Sequence, residues 1–160
     1  MDGASPYRIV KATGSAELAD ITDRLLGLLP SWFGIPEANA EYVASATELP
    51  GFVARTDTEA IGVLLCRRHF ASAAEIHLIA VDPAWHRRGV GRALVAAAES
   101  EITEEGARLL QVKTLGPARP DEGYARTREF YRSVGFLPLE EMHELWPENP
   151  CLIMVKALGR

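Results

Sequence analysis

The stretch AWHRRGVGRALV, residues 84–95, decides the fold, because a strand-like run gives way there to a helix-like one. Two glycines, Gly89 and Gly91, bracket a valine, and three arginines surround them: Arg87, Arg88 and Arg92. A glycine-rich turn before a helix presents backbone N–H groups to an anion, and glycine lets the anion approach closely. The arginines would add charge-assisted donors. A tight turn with solvated arginines explains the same residues, so both interpretations are open at this point.

Two familiar phosphate-binding turns do not fit this stretch. A P-loop ends in Gly-Lys followed by Ser or Thr, and the chain contains no such sequence. A Rossmann turn needs a third glycine, and Leu94 occupies that place. If the turn binds phosphate, it belongs to another class.

The composition predicts one globular domain over residues 1–160. The chain has 160 residues, 48% of them hydrophobic and 24% charged, which is enough for a full core without disulfides or metal. Its net charge of −5 argues against a nucleic-acid partner, which usually calls for a basic face. Cys66 and Cys151 lie far apart with no CxxC motif, so we expect reduced, buried thiols and no metal site.

The N-terminal residues MDGASPYRIVKA lack the charged and apolar regions of a signal peptide. No apolar run approaches the roughly 20 residues that span a bilayer. We therefore expect a cytoplasmic protein without a membrane partner.

Periodicity predicts an α/β domain with a mixed sheet. The expected order is β-α-α-β-β-β-α-β-α-β-β, and strands 73–82 and 107–115 should form a parallel crossover around the helix between them. The expected strands are 7–12, 51–57, 60–69, 73–82, 107–115, 136–145 and 151–158; the expected helices begin at Gly14 or Ser15, at Pro36, at Gly91 and at Ala125, and Gly135 ends the last one.

The segment VDPAWHRRGVGRALVAAAE resembles the signature Gln/Arg-x-x-Gly-x-Gly/Ala of the GNAT superfamily of N-acetyltransferases. The resemblance implies a mostly antiparallel seven-stranded sheet flanked by four helices. It also implies that the amides of the turn hold the pyrophosphate of acetyl-CoA while the preceding strand follows the pantetheine arm. The cofactor-binding residues implied are Ile79, Ala80, Val81, Arg87, Arg88, Gly89, Val90, Gly91 and Arg92. His86 departs from the pattern, since it stands where the family usually has Gln or Arg.

A second motif extends the resemblance over essentially the whole chain. REFYRSVGF, residues 128–136, resembles the family's tyrosine four residues before Gly-Phe. Many members carry Asn and Ala seven and four residues before that tyrosine, whereas this chain has Tyr124 and Thr127. The Asn commonly contacts the cofactor, so no residue here is assigned that contact.

Tyr131 is the candidate general acid. A phenol with a pKa of roughly 10 is suited to protonate a thiolate whose conjugate acid has a pKa near roughly 8.5. We expect the neighbouring Phe130 to face the core. A core tyrosine with a satisfied hydroxyl is the other interpretation of Tyr131.

The strand around residue 77 offers candidates for the base. Its period of two puts Glu75, His77, Ile79 and Val81 on one side and the apolar residues Ile76, Leu78 and Ala80 on the other. Some small-amine members of the family place histidines at the positions of Glu75 and His77. His77 is a suitable base, and Glu75 would act through water if burial raised its pKa. A surface carboxylate with a hydrogen-bonded histidine is the alternative.

The acceptor side rests on aromatic residues. The resemblance places Trp32 and Phe33, with Tyr42 nearby, in the region that covers the acceptor in relatives. They would suit a small cationic amine through cation–π contact. Core packing between the first two helices explains them equally well. Asp121, Glu122 and Tyr124 in the loop GPARPDEGYARTR are further candidates for this wall.

The resulting prediction is an N-acetyltransferase that uses acetyl-CoA as co-substrate, without metal, in a ternary complex. No cysteine lies in a motif, which disfavours a covalent acetyl-enzyme. The acceptor would be a small-molecule or peptide amine, and a homodimer is left open because relatives are often dimers. Three alternatives stay open: an acyl-CoA-binding sensor on the same fold, a longer acyl donor that needs a roomier channel near Ile79, and a protein-acetylating enzyme.

Overall fold

A computed structural model describes residues 3–159 and confirms the predicted order of elements. A 3-10 helix over Pro83–Trp85 is the one addition to the predicted order in the described chain. The elements are β1 Arg8–Ala12, α1 Ala16–Gly27, α2 Pro36–Ser45, β2 Gly51–Arg55, β3 Ala60–Phe70, β4 Ala73–Val81, α3 Val90–Glu104, β5 Leu109–Leu115, α4 Glu122–Ser133, β6 Leu137–Trp146 and β7 Asn149–Ala157.

The seven strands form a sheet in the order β1-β2-β3-β4-β5-β7-β6. β4 and β5 pair in parallel, from Ala73 opposite Leu109 to Ile76 opposite Val112. The pairs β1–β2, β2–β3, β5–β7 and β6–β7 are antiparallel. The predicted mixed, mostly antiparallel sheet is therefore confirmed, and so is the parallel crossover, because α3 connects β4 to β5 as a parallel pair requires.

The described chain divides into two compact units. Unit 1 holds the chain up to Cys66 together with Leu78–Ser100, and unit 2 holds Arg67–His77 and the chain from Glu101 onward. The single domain expected over residues 1–160 stays a prediction. Among the residues described, no helix is long and apolar enough to cross a membrane.

In unit 1, α1 packs against strands β2, β3 and β4. The Ser15 hydroxyl caps α1 by accepting the N–H of Leu18 at 3.1 Å, so the helix begins where the sequence predicts. The apolar residues on one face of α1 belong to a buried cluster that also contains residues of β2, β3 and β4. The members of this cluster include Leu18, Leu25, Leu26, Val53, Val63, Leu65, Leu78 and Ala80. The helical spacing of the apolar residues therefore identifies the face of α1 that packs into the core.

Unit 2 joins the β6–β7 hairpin to β5 and α4. α4 begins at Glu122, three residues before the predicted start, because the carboxylate of Asp121 accepts the N–H of Tyr124 at 2.9 Å. Cys66 in unit 1 and Cys151 in unit 2 are free and buried, as predicted.

Candidate active site

The turn before α3 has the backbone shape that anion binding requires. Arg87 and Gly89 adopt positive φ angles of 63° and 81°, and the Gly89 carbonyl accepts the N–H of Ala93 at 3.0 Å, which starts the helix. The amides of Gly89, Val90 and Gly91 precede the first intrahelical donor, so the helix itself offers them no acceptor. Their partial positive charge adds to the helix dipole at this end.

Gly89 also leaves space beside these amides. A Cβ built on it would meet only the hydroxyl oxygen of Tyr7, at 3.8 Å, within a 4 Å radius. Glycine is needed here for the left-handed backbone rather than to avoid a clash. The space is available for an anion in contact with the chain.

His86 connects the turn to the end of β4. Its Nε2 lies 2.8 Å from the carbonyl oxygen of Val81, and because a carbonyl only accepts, Nε2 carries the proton. The Trp32 ring meets the imidazole edge-on at a centroid distance of 5.9 Å. The residue that departs from the signature therefore stabilises the turn through a hydrogen bond from its side chain to the Val81 carbonyl.

Trp85 anchors one of the arginines. The Arg88 guanidinium carbon lies 5.0 Å from the centroid of the Trp85 ring, and Tyr7 packs edge-on against the same ring at 6.1 Å. A stacked guanidinium keeps its N–H donors free to bind at its rim. Arg88 is thus held beside the turn and exposed.

β4 shows the predicted alternation. Ile76, Leu78 and Ala80 are buried. On the opposite face, His77, Ile79 and Val81 are half-buried while Glu75 is only 6% exposed. The assignment of the apolar set to the core is confirmed.

Glu75 is the centre of a charged cluster in unit 2. Its Oε1 accepts from His69 Nε2 at 2.7 Å and from Gln111 Nε2 at 3.0 Å, and Lys113 Nζ lies 3.5 Å away. Burial alone would raise the pKa of Glu75, but the bonds from Gln111 and His69 and the charge of Lys113 bring it below the ordinary value. The pKa of Glu75 is thus shifted away from the raised value that base catalysis through water would need, and a catalytic role for Glu75 stays a prediction.

The sequence analysis missed the partners of Glu75. Gln111 and Lys113 alternate along β5, and Gln111 stands directly opposite Glu75 in the parallel register. The alternation of Gln111 and Lys113 along a mostly apolar strand was the available signal. The sequence does not show which carboxylate these two side chains contact, because that depends on the pairing of β4 with β5, which are far apart in the sequence.

Tyr131 is fixed by the C-terminus of α4. Gly135 has φ 102°, its N–H donates to the carbonyl of Arg132 at 3.0 Å, and the N–H of Phe136 donates to the carbonyl of Tyr131 at 3.0 Å. These two bonds form a Schellman motif, which confirms Gly135 as the residue that ends the helix. Tyr131 is 4% exposed and Phe130 half-buried, so α4 buries Tyr131 rather than the expected Phe130.

Comparison with known sequences decides the family. Residues 49–138, more than half of the chain, match the family model of the acetyltransferase (GNAT) domain. The chain belongs to the GNAT acetyltransferases. The predicted family and the predicted enzyme class, an N-acetyltransferase, are therefore confirmed. No curated protein matches the chain.

Solved structures of GNAT proteins share this fold. The ribosomal-protein-S18-alanine N-acetyltransferase of Escherichia coli superposes with a TM-score of 0.76 at 16% identity, over 96% of each chain. The aminoglycoside 6'-N-acetyltransferase of Enterococcus faecium gives 0.73 at 20%, over 96% of this chain and 98% of that one. A GNAT acetyltransferase of Elizabethkingia anophelis with acetyl-CoA bound gives 0.72 at 15%, over 97% and 100%. Identities this low show the fold alone.

The aromatic residues of this GNAT chain have packing partners. Phe33 and Tyr42 meet edge-on at 6.0 Å, and both lie with Trp32 against the buried cluster of unit 1. Core packing therefore accounts for part of their presence. Tyr124 is half-buried in the first turn of α4. Substrate contacts of Trp32, Phe33 and Tyr124 stay predictions.

The loop between β5 and α4 is held by the β6–β7 hairpin, which sequence reasoning did not foresee. Glu141 accepts the N–H of Ala118 at 3.1 Å and pairs with His143 Nε2 at 3.2 Å. Its carboxylate fills the space where a Cβ of Gly116 would lie. Arg119 donates to Asn149 on the next strand. No group of His, Cys, Asp and Glu suited to a metal is found within residues 3–159.

Proposed function

We propose that this GNAT protein moves an acetyl group from acetyl-CoA directly to a primary amine in a ternary complex. The observation that carries the proposal is the turn before α3, with Arg87 and Gly89 at positive φ ahead of a helix N-terminus. The Elizabethkingia relative with acetyl-CoA bound supports the choice of donor. The amides of Gly89, Val90 and Gly91 hold the pyrophosphate.

The charged and strand residues complete the binding of acetyl-CoA in this proposal. Arg87, Arg88 and Arg92 add charge-assisted donors to the phosphates. Ile79, Ala80 and Val81 contribute mainly their backbone along the pantetheine arm. A backbone N–H that meets the thioester oxygen would stabilise the oxyanion of the tetrahedral intermediate.

The transfer forms one C–N bond and breaks one C–S bond. The neutral amine attacks the thioester carbonyl, and the tetrahedral intermediate expels the thiolate of coenzyme A. The proton lost by the amine goes to the base, and Tyr131 donates its phenolic proton to the thiolate. Burial raises the pKa of the Cys151 thiol to about 11, and a protonated buried thiol supports direct transfer over a covalent acetyl-cysteine.

His77 is the better candidate base. A lowered pKa makes the Glu75 carboxylate a weak base, and its Oε1 already takes three partners. Imidazole is the side chain that ordinarily titrates near neutral pH. In this assignment Glu75 supplies a fixed negative charge on the same face of β4 as His77.

The acceptor is a small-molecule or peptide amine. The Enterococcus and Escherichia coli relatives are named for an aminoglycoside and for the alanine of a ribosomal protein, which supports both classes. The net charge of −5 favours a cationic acceptor by long-range attraction.

Release of free thiol from acetyl-CoA tests the proposal. Wild type and Tyr131→Phe are assayed against separate pools of amines, amino acids, aminoglycosides and peptides. We expect one pool to give amine-dependent release that falls about 10²-fold or more in Tyr131→Phe. Acetyl-CoA binding without release from any pool would refute the proposed transfer to these amines and favour the acyl-CoA sensor. The variant keeps the ring beside Phe136, and thermal unfolding checks that the protein stays folded.

A further inference from the structure

Arg128 is a charged side chain that α4 turns inward. It is 8% exposed, and the buried residues of this helix are Arg128 and Tyr131, which stand three positions apart and share one face. The helix reads EGYARTREFYRS, so it has few apolar residues with which to attach to the sheet. Polar contacts therefore contribute to its attachment beside the packing of the Tyr131 ring on Phe136.

The contact that holds Arg128 is specific. Its Nη1 donates to the carbonyl oxygen of Leu115, the last residue of β5, at 2.7 Å in a buried setting. Removing a guanidinium from water is costly unless hydrogen bonds compensate. An apolar side chain would fill the same place without that cost, so the bond itself is the feature that needs a role.

The two buried residues are bonded to different parts of the chain. Arg128 ties α4 to the end of β5, and Tyr131 is tied through its carbonyl to Phe136 beyond the helix end. Lys156 of β7 adds a bond from Nζ to the carbonyl of Val134 at 2.7 Å. Within unit 2, α4 is therefore bonded to β5 through Arg128, and the chain just after the helix is bonded to β7 through Lys156.

We infer that Arg128 is a positioning residue that sets the spacing between α4 and the end of β5 and thereby aims the Tyr131 hydroxyl. The inference rests on the proposed function, since it gives Arg128 a catalytic consequence only through Tyr131. A merely stabilising Arg128 would lower the free energy of unfolding and leave turnover of the folded enzyme intact. If Arg128 instead positions Tyr131, its substitution lowers the turnover of the folded enzyme, and the loss depends on the Tyr131 hydroxyl.

A double-mutant cycle separates these roles. Arg128→Met removes the donors and keeps the length, Arg128→Lys restores one donor, and Arg126→Met makes the same change at an exposed site of α4. We expect Arg128→Met to lower kcat about tenfold or more with KM for acetyl-CoA nearly unchanged, because small misplacements of a catalytic group are costly. Arg128→Lys should recover part of the loss, and Arg126→Met should match wild type.

The decisive comparison is in the Tyr131→Phe background. If Arg128 acts through Tyr131, Arg128→Met should change the residual kcat by less than about twofold there. An equal fold-loss in both backgrounds would overturn the inference, as would a wild-type kcat in folded Arg128→Met.

A second readout does not depend on turnover. In protein labelled with ¹³C at the tyrosine ring, four tyrosine signals are expected and Tyr131→Phe identifies one of them. Arg128→Met should move the Tyr131 signal and leave those of Tyr7 and Tyr42 in unit 1 in place. A Tyr131 signal that stays in place in folded Arg128→Met overturns the inference. If no amine supports turnover, the proposed function fails and this spectrum still tests whether Arg128 affects the surroundings of Tyr131.

Discussion

The rings of Tyr131 and Phe136 lie 5.6 Å apart because the chain turns back at Gly135 and the N–H of Phe136 bonds to the carbonyl of Tyr131. The spacing of tyrosine, glycine and phenylalanine in the second motif is thus the spacing of a capped helix end. The backbone geometry of the helix end and the packing against Phe136 together hold the ring of Tyr131, the candidate acid, in place.

Gly135→Ala should destabilise the protein by about 1–2 kcal/mol, because an L-residue is strained at a φ of 102°. Urea unfolding of wild type and variant measures the difference. Gly27→Ala is the matched control: it lies at the end of α1 with no atom within 4 Å of a new Cβ, and should be neutral or stabilising by about 0.5–1 kcal/mol. A Gly135→Ala protein as stable as wild type would contradict the role of the helix end.

Gly89→Ala should weaken coenzyme A binding. The new Cβ meets no close neighbour but is strained at a φ of 81° and lies beside the amides proposed to bind pyrophosphate. We expect Kd to rise about tenfold or more, the loss of roughly one strong hydrogen bond, measured by calorimetric titration. Gly106→Ala, at a φ of 100° with open space, carries similar strain and should leave Kd unchanged. Equal affinities of the two variants for coenzyme A would argue against binding of the pyrophosphate by the turn before α3.

Glu75 should make stability depend on acid pH. Its folded pKa lies below the ordinary 4.5, so its contribution is present above pH 4.5 and is lost as pH falls through the folded pKa. Glu75→Gln should therefore flatten the decline of unfolding free energy below that pH and cost on the order of 1 kcal/mol at pH 7. Urea unfolding from pH 3 to 8 tests this. Glu17→Gln, an exposed partner of Arg55, should change little.

Catalysis should separate the two candidates for the base. His77→Gln should lower kcat by about 10²–10⁴ and remove the acidic limb of its pH profile. Glu75→Gln should keep kcat within about tenfold of wild type, since its carboxylate supplies charge and takes no proton. Thiol release over pH 5–9 measures both profiles. A larger loss of kcat in Glu75→Gln than in His77→Gln would identify Glu75 as the base instead.

Glu141→Ala should loosen the loop between β5 and α4. The variant removes the acceptor of the Ala118 N–H, so amide hydrogen exchange over residues 116–121 should speed up. Glu141→Gln keeps an acceptor oxygen and should exchange nearly as wild type. Unchanged exchange in Glu141→Ala would mean that Gly116 and Arg119 hold the loop without it.

Sequence reasoning predicted features whose cause is local and did not predict contacts between segments that lie far apart in the sequence. The alternation of Ile76, Leu78 and Ala80 and the helix stop at Gly135 follow from the period of a strand and from a positive φ. The resemblance made Trp32 a candidate for the acceptor site, with core packing as the alternative, and the structure adds an edge-on contact with His86, 54 residues further along the sequence. An aromatic residue has no sequence signal that names its partner.

The amino-acid sequence by itself determined the order of strands and helices, the turn before α3 and the family. These depend on backbone preferences and apolar periodicity within a few residues. Only the tertiary structure decided the direction of the Glu75 pKa shift and the partner of Arg128. The pKa of Glu75 depends on groups that β3 and β5 bring to one oxygen, and Arg128 bonds to a backbone carbonyl that carries no side-chain signature. Burial and pairing across distant segments set both.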